Sequence, residues 1–175
     1  MSSIVKKIEL YKDFKKIIQV FKEPPFSEQL TEKEMIEEYD SYLEKGVSYG
    51  YYYNDEILGF IGILNGIQQG HPIKLYNSEE VLYVNGIAVL KDYRKYGIAS
   101  TLMNHAISEI DLYKIYAIYL RTNYIGSKLE NIALNVGFKK IEENGQVITE
   151  DVTFERNNGK ISTDKRMFMI KHLKK

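Results

Sequence analysis

The sequence predicts an α/β fold (α+β in some schemes), with helices flanking a mixed sheet, on three observations. Val81 to Leu90 is apolar on both faces apart from Tyr83 and Asn85, as in a central strand covered on each side. Beyond the polar turn of Lys91 to Lys95 the period becomes helical: Ile98, Leu102, Ala106 and Ile110 recur every four residues, with Met103 and Ile107 beside them. Ile115 to Leu120 is a second, almost wholly apolar run, and so a second buried strand.

The other elements follow in order. Ile4 to Leu10 is a short strand. Phe14, Ile17, Ile18 and Phe21 stand at helical spacing, with Asp13 as the expected N-cap. Glu23 to Ser27 holds two adjacent prolines, which cannot continue a helix. Thr31 and Glu34 form a capping box for a second helix, with Met35, Tyr39, Tyr42 and Leu43 on its apolar face and Gly46 closing it as a C-cap. Val47–Tyr53 and Ile57–Leu64 read as a hairpin across Asn54 to Glu56, and Asn65 to Glu80 as a polar loop. Ser127 to Val136 is a helix with Leu129, Ile132, Ala133 and Val136 on one face and Gly137 as its stop. Phe138 to Ile141 begins another strand, Val147 to Phe154 alternates moderately, residues 157–160 make a turn, and Arg166 to Leu173 is the final strand.

A chain of 175 residues is expected to form one domain, with a core of about residues 4–173 and no need of disulfides. It has no cysteine, which excludes a disulfide framework, a cysteine nucleophile and a thiolate metal site. Lys+Arg and Asp+Glu balance at 24 each, so charge gives no case for a nucleic-acid partner. No apolar signal segment or membrane-length run is present, and a cytoplasmic protein without a membrane partner is expected. His71, His105 and His172 are too scattered to suggest a metal site. The spacings of a dinucleotide fingerprint and of a P-loop are both missing.

The junction between the organising strand and its helix is Arg94-Lys95-Tyr96-Gly97-Ile98-Ala99. Gly97 lets the backbone approach a ligand closely, and Ala99 adds almost no side chain. The first turn of a helix has N–H groups without internal partners and a dipole that favours negative charge, which suits a phosphate or pyrophosphate. Arg94 and Lys95 add positive charge at its mouth.

This segment resembles motif A of the GNAT superfamily of acyl-CoA-dependent N-acyltransferases, Q/R-x-x-G-x-G/A, with Arg94, Gly97 and Ala99 in the fixed positions. Leu129 to Phe138, a helix running into Gly137-Phe138 and then a strand, looks like motif B. The element order also matches, so the resemblance covers essentially the whole chain. It implies the GNAT fold, with a mixed, largely antiparallel central sheet, and acetyl-CoA as co-substrate without a metal. It further implies a primary amine of a small molecule or peptide as acceptor, direct attack in a ternary complex, and a homodimer as one allowed assembly. By resemblance, Ile87, Ala88 and Val89 would hold the pantetheine arm, one of their N–H groups facing the thioester oxygen. Arg94, Lys95, Tyr96, Gly97, Ile98, Ala99 and Ser100 would hold the pyrophosphate. Asn123 and Ser127 would flank the lower arm. Family members often splay the two central strands there, aided by a bulge for which Gly86 is the candidate.

The acid–base positions depart from the family pattern. The strand position of the usual glutamate base holds Tyr83, and the usual tyrosine acid of motif B is Ala133. The available substitutes are Tyr83 and Asn85, which alternation places on one face of the strand, as holders of a proton-carrying water, and Tyr124 as a donor to the thiolate. In the loop between the first two helices Phe26 offers an apolar wall, while Glu23 and Glu28 could attract a cationic amine. The missing pair also leaves room for a non-catalytic acyl-CoA sensor.

Overall fold

The computed structural model describes residues 3–8, 13–23, 26, 30–156 and 158–173. The expectations for Glu9 and Leu10, for Pro24, Pro25, Ser27 and Glu28, for the side chain of Phe14 and for Asn157 lie outside the described residues.

The chain runs β1 (Ile4–Lys7), α1 (Phe14–Phe21), α2 (Glu32–Lys45), β2 (Gly46–Tyr53), β3 (Glu56–Asn65), β4 (Val81–Val89), α3 (Ile98–Ser108), β5 (Ala117–Asn123) and α4 (Lys128–Val136). Five further strands end it, β6 (Lys139–Lys140), β7 (Glu142–Glu143), β8 (Gln146–Val147), β9 (Thr149–Glu155) and β10 (Ile161–His172), with the short β7–β8 pair standing apart. The main sheet has the order β1-β2-β3-β4-β5-β10-β6, with β9 also on β10. Every pairing is antiparallel except β4 with β5. This is the expected mixed, largely antiparallel sheet.

Helices cover both faces. On one, Ile17, Val20 and Phe21 of α1 and Met35, Tyr39 and Tyr42 of α2 pack on Phe60 and Ala88. On the other, Ile98, Leu102, Met103 and Ala106 of α3 and Ala133 and Val136 of α4 pack on Ile61, Ile63, Leu82 and Val84. The hairpin turns at Asn54 and Asp55, both at positive φ, the chemistry of a two-residue turn.

Three local expectations are corrected. Asp13 does not cap α1: its backbone is already helical (φ −81°, ψ −10°), whereas a capping side chain needs an extended backbone to reach back to the first turn. Its carboxylate instead accepts from the Tyr52 hydroxyl at 3.4 Å. Leu43 is 38 % exposed, because the buried stripe of α2 runs through Met35, Tyr39 and Tyr42 and leaves position 43 at its rim. Gly46 is not a left-handed cap but extended (φ −164°); α2 passes straight into β2, and a Cβ there would lie 1.9 Å from the Ile63 carbonyl oxygen. The capping box forms as expected, Thr31 N–H donating to Glu34 Oε2 at 2.7 Å and Glu34 N–H to Thr31 Oγ1 at 3.4 Å. The last strand is longer than expected, beginning at Ile161 rather than Arg166.

The sheet opens at one place. β4 and β5 pair only from Val81↔Ala117 to Val84↔Leu120. The next β4 residue, Asn85, is skipped in the register with β3, where Ile63 faces Val84 and Gly62 faces Gly86. Asn85 is therefore the extra residue of a β-bulge, one position before the glycine expected to carry it. A bulge bends its strand and increases its twist. Gly86 is nonetheless crowded, since a Cβ would meet Phe26 Cζ at 2.9 Å and the Tyr42 hydroxyl at 3.0 Å, and those rings would have to shift.

Candidate acetyl-transfer site

Beyond the bulge, Ile87 and Val89 turn their side chains to the α3 face, while Ala88 joins the α1–α2 face. Leu90 N–H donates to Leu58 O at 2.9 Å, so Leu90 points its backbone at β3. By alternation the polar backbone groups of Ile87 and Val89 face the side where β5 has departed. The Val89 carbonyl accepts from Arg94 Nε at 3.0 Å, as that direction requires.

The strand leads through a tight turn to α3. Gly97 occupies the N-cap position at φ +78°, a conformation that favours glycine, and a Cβ there would have no neighbour within 4 Å. No side chain caps the helix. Its first intrahelical bond is Thr101 N–H to Gly97 O at 2.9 Å, so the N–H groups of Ile98, Ala99 and Ser100 precede the ladder. Ile98 is buried, with its side chain against Gly59; Ala99 and Ser100 are half-buried, and Lys95 and Tyr96 are exposed. Lys95 is itself at φ +73°. An open helix N-terminus free of side chains fits an anion such as a pyrophosphate.

Arg94 does not lie free at this mouth. Besides the Val89 carbonyl, its guanidinium holds Glu23 Oε2 at 2.9 Å, and Glu23 Oε1 accepts from Lys91 N–H at 3.1 Å. Glu23 is thus paired with an arginine, which leaves it a poor attractor for a cationic acceptor.

On the α2 side of the bulge lies a polar cluster. Asn85 Nδ2 donates to Glu38 Oε1 in a very short contact and to the Tyr42 hydroxyl at 3.0 Å, and that hydroxyl donates to Glu38 Oε1 at 2.7 Å. Burial pushes the Glu38 carboxyl above its ordinary range, against the pull of the two donors. Burial, and then the Glu38 charge, push Tyr42 well above the usual phenol range, so it stays a donor. Glu38 did not stand out among the charges of α2. The signal was its spacing: positions 35, 38, 39 and 42 form one helical stripe, and the other three are buried.

Tyr83 and Asn85 do share the α1–α2 face. Tyr83 is 4 % exposed, stacked on Tyr119 at 4.8 Å, and burial raises its pKa, so it remains a phenol. His71 is structural: its ring packs edge-on against Tyr83, Tyr119 and Phe168, with Nδ1 3.0 Å from the Tyr119 hydroxyl. Tyr124 is not brought into this cluster. Its N–H donates to Lys165 O at 2.9 Å, its ring lies under Lys165 Nζ, and with Asn123 it lines a shallow depression of about 240 Å³ at the C-terminal end of β5, beyond the last β4–β5 pair. Ser127 caps α4, its hydroxyl accepting from Glu130 N–H at 3.3 Å and meeting Thr122 Oγ1 at 2.5 Å. Among the described residues, no group of three metal-ligating side chains is placed to hold an ion, and no helix is long and apolar enough to cross a membrane.

Comparison with known proteins gives a consistent result. The profile of the Acetyltransferase (GNAT) family matches residues 12–129. No curated protein sequence matches the chain. Among solved structures, the ribosomal-protein-S18-alanine N-acetyltransferase of Escherichia coli superposes with a TM-score of 0.72 at 14% identity, covering 99% of this chain and 96% of that one. Arabidopsis thaliana NAA60 in complex with acetyl-CoA superposes with a TM-score of 0.68 at 16% identity, covering 98% and 99%. An N-acetyltransferase from Staphylococcus aureus Mu50 gives 0.70 at 14% identity, covering 99% and 100%. With the family profile spanning well over half of its length, the chain belongs to the GNAT acetyltransferases, a family of acetyl-CoA-dependent acyltransferases.

Proposed function

We propose that residues 1–175 act as one cytoplasmic N-acetyltransferase domain that moves the acetyl group of acetyl-CoA to the primary amine of a small molecule or peptide. The observation that carries the reading is a juxtaposition: β4 parts from β5 at Val84, and the freed strand runs directly into the uncapped α3 N-terminus at Gly97. The N–H groups from Ile98 to Ser100, with Lys95 beside them, supply donors and positive charge for a pyrophosphate. The open edge of Ile87 to Val89 supplies strand-like hydrogen bonds for a pantetheine arm and a donor for the thioester oxygen as charge develops there. Asn123 borders the same opening from β5. Ser127 serves it indirectly, by fixing the start of α4. Acetyl-CoA supplies the activated acyl group; the chain binds it, orients it and keeps the amine beside it. With no cysteine to carry an acyl group, the amine attacks the thioester directly.

The test is calorimetric titration with acetyl-CoA and with free CoA, followed by thiol release in the presence of primary amines. Binding of both ligands followed by amine-dependent thiol release is expected. No binding at millimolar concentration would overturn the reading, and binding without turnover of any amine would make the protein an acyl-CoA sensor.

A further inference from the structure

We infer that Glu38 is the group that receives the acceptor's ammonium and takes its proton, which makes the acceptor an alkylammonium compound; the inference rests on the acetyl-transfer reading above. The geometry of the carboxylate carries it. Both donors, the Tyr42 hydroxyl and Asn85 Nδ2, converge on Oε1. Among the described residues Oε2 has no hydrogen-bond partner, and no lysine or arginine pairs with Glu38. A half-buried carboxylate without a counter-ion is costly to the fold unless a cation arrives from outside.

Its place in the fold says which cation. Asn85 is the bulged residue directly after the last β4–β5 pair, so the cluster borders the opening that the thioester arm would enter. Phe26 lies over the adjacent Gly86, with its Cζ 2.9 Å from where a Cβ would be. A carboxylate beside an aromatic wall suits a charged head on an apolar stem. Among the described residues of this loop, the Glu23 carboxylate is already paired with Arg94.

Proton transfer from the ammonium to Oε2 leaves a neutral amine and a carboxylic acid. The nitrogen lone pair forms the C–N bond to the thioester carbonyl carbon, and the C–S bond breaks with its electron pair leaving on sulfur. The second N–H proton passes to that sulfur, directly or through water, and Glu38 returns its proton to solvent. The products are the acetamide, CoA thiol and one proton. Burial raises the Glu38 pKa above its ordinary value, the direction that makes a carboxylate a stronger base. The groups facing it are Tyr42 from α2 and Asn85 from β4, with Tyr83 next along the strand; Arg121, Glu150 and Arg166 lie beyond and act on Tyr83. Tyr42 and Asn85 are positioning residues.

Three measurements on wild type, Glu38→Gln and Glu38→Asp test this. Calorimetry should give one acetyl-CoA affinity for all three. In carbon NMR, n-butylammonium chloride added to the CoA-bound protein should shift a carboxyl resonance that Glu38→Gln lacks. Thiol release with n-butylamine, spermidine and lysine amide should fall by about 10²-fold in kcat/KM in Glu38→Gln, with loss of the acidic limb of the pH profile and partial recovery in Glu38→Asp. Full activity of Glu38→Gln or an unmoved resonance would each overturn the inference, whereas a wild type that binds acetyl-CoA and turns over no amine would overturn the acetyl-transfer reading itself. Failure of wild type to bind acetyl-CoA would likewise overturn the reading on which the inference rests.

Discussion

Replacing Gly97 by glutamate, with alanine as control, separates charge from backbone at the α3 terminus. A Cβ at this position meets nothing within 4 Å, so neither substitution creates a steric clash. Both force an L-residue to φ +78°, which costs about 1–2 kcal/mol. In a chain of 175 residues that lowers Tm by about 2–8 °C, small enough for the fold to survive. Alanine adds only this. Glutamate also adds an anion beside the N–H groups of Ile98, Ala99 and Ser100. Two unit charges about 4 Å apart near a protein surface repel by about 4 kcal/mol, which corresponds to about 10³-fold in Kd and to about 10²-fold when the flexible side chain swings partly aside. Thermal melts and acetyl-CoA titrations of the three proteins decide the matter. Gly97→Ala should melt lower but bind within a few fold of wild type, and Gly97→Glu should melt like the alanine variant and bind too weakly to fit. Wild-type affinity in Gly97→Glu would refute the placement of the pyrophosphate. Equal loss in both variants would refute the electrostatic reason for it.

Two further outcomes follow from buried titratable groups. Glu38 has a folded-state pKa raised from its ordinary 4.5, so its contribution is fully present below that value and is lost as pH rises through the raised one. Glu38→Gln should therefore melt no lower than wild type at pH 8, and its advantage should shrink by pH 4; a lower melt at pH 8 would show that the carboxylate supports the fold. His71 has a pKa lowered by burial and then by Arg121, so its contribution is present above the ordinary 6.5 and is lost as pH falls through the lowered value. Melts of wild type should drop between pH 7 and pH 5, and His71→Gln should flatten that part of the profile; an unchanged slope would assign it to other groups.

How much of this was legible in the sequence depends on the range of each interaction. The helix start after Gly97 and the capping box of Thr31 and Glu34 are set by neighbours within a few residues, and each is found where expected. The buried strands declared themselves because a strand covered on both faces has no polar side to spare. The partners of Arg94 were not legible, since Glu23 stands 71 residues away and only the folded chain brings them together. Nor was the placement of the Glu38 carboxylate against β4. A base was sought on β4, where Tyr83 stands, while Glu38 reaches the same strand from α2 across 47 residues. The bulge was anticipated at Gly86 because glycine is the usual mark of irregular strand, but the inserted residue is Asn85, and the glycine answers to the crowding of Phe26 and Tyr42.

The opening in the sheet begins at an added residue. Asn85 and Gly86 both face α2, so cutting Asn85 out would leave every other β4 side chain on its present side, with Leu82, Val84, Ile87 and Val89 still on the α3 core. The strand would lose its bend and could continue zipping onto β5 past Leu120. Deletion of Asn85 is expected to extend the β4–β5 pairing and narrow the opening, which protection of the Ile87 and Val89 amides from hydrogen exchange would report.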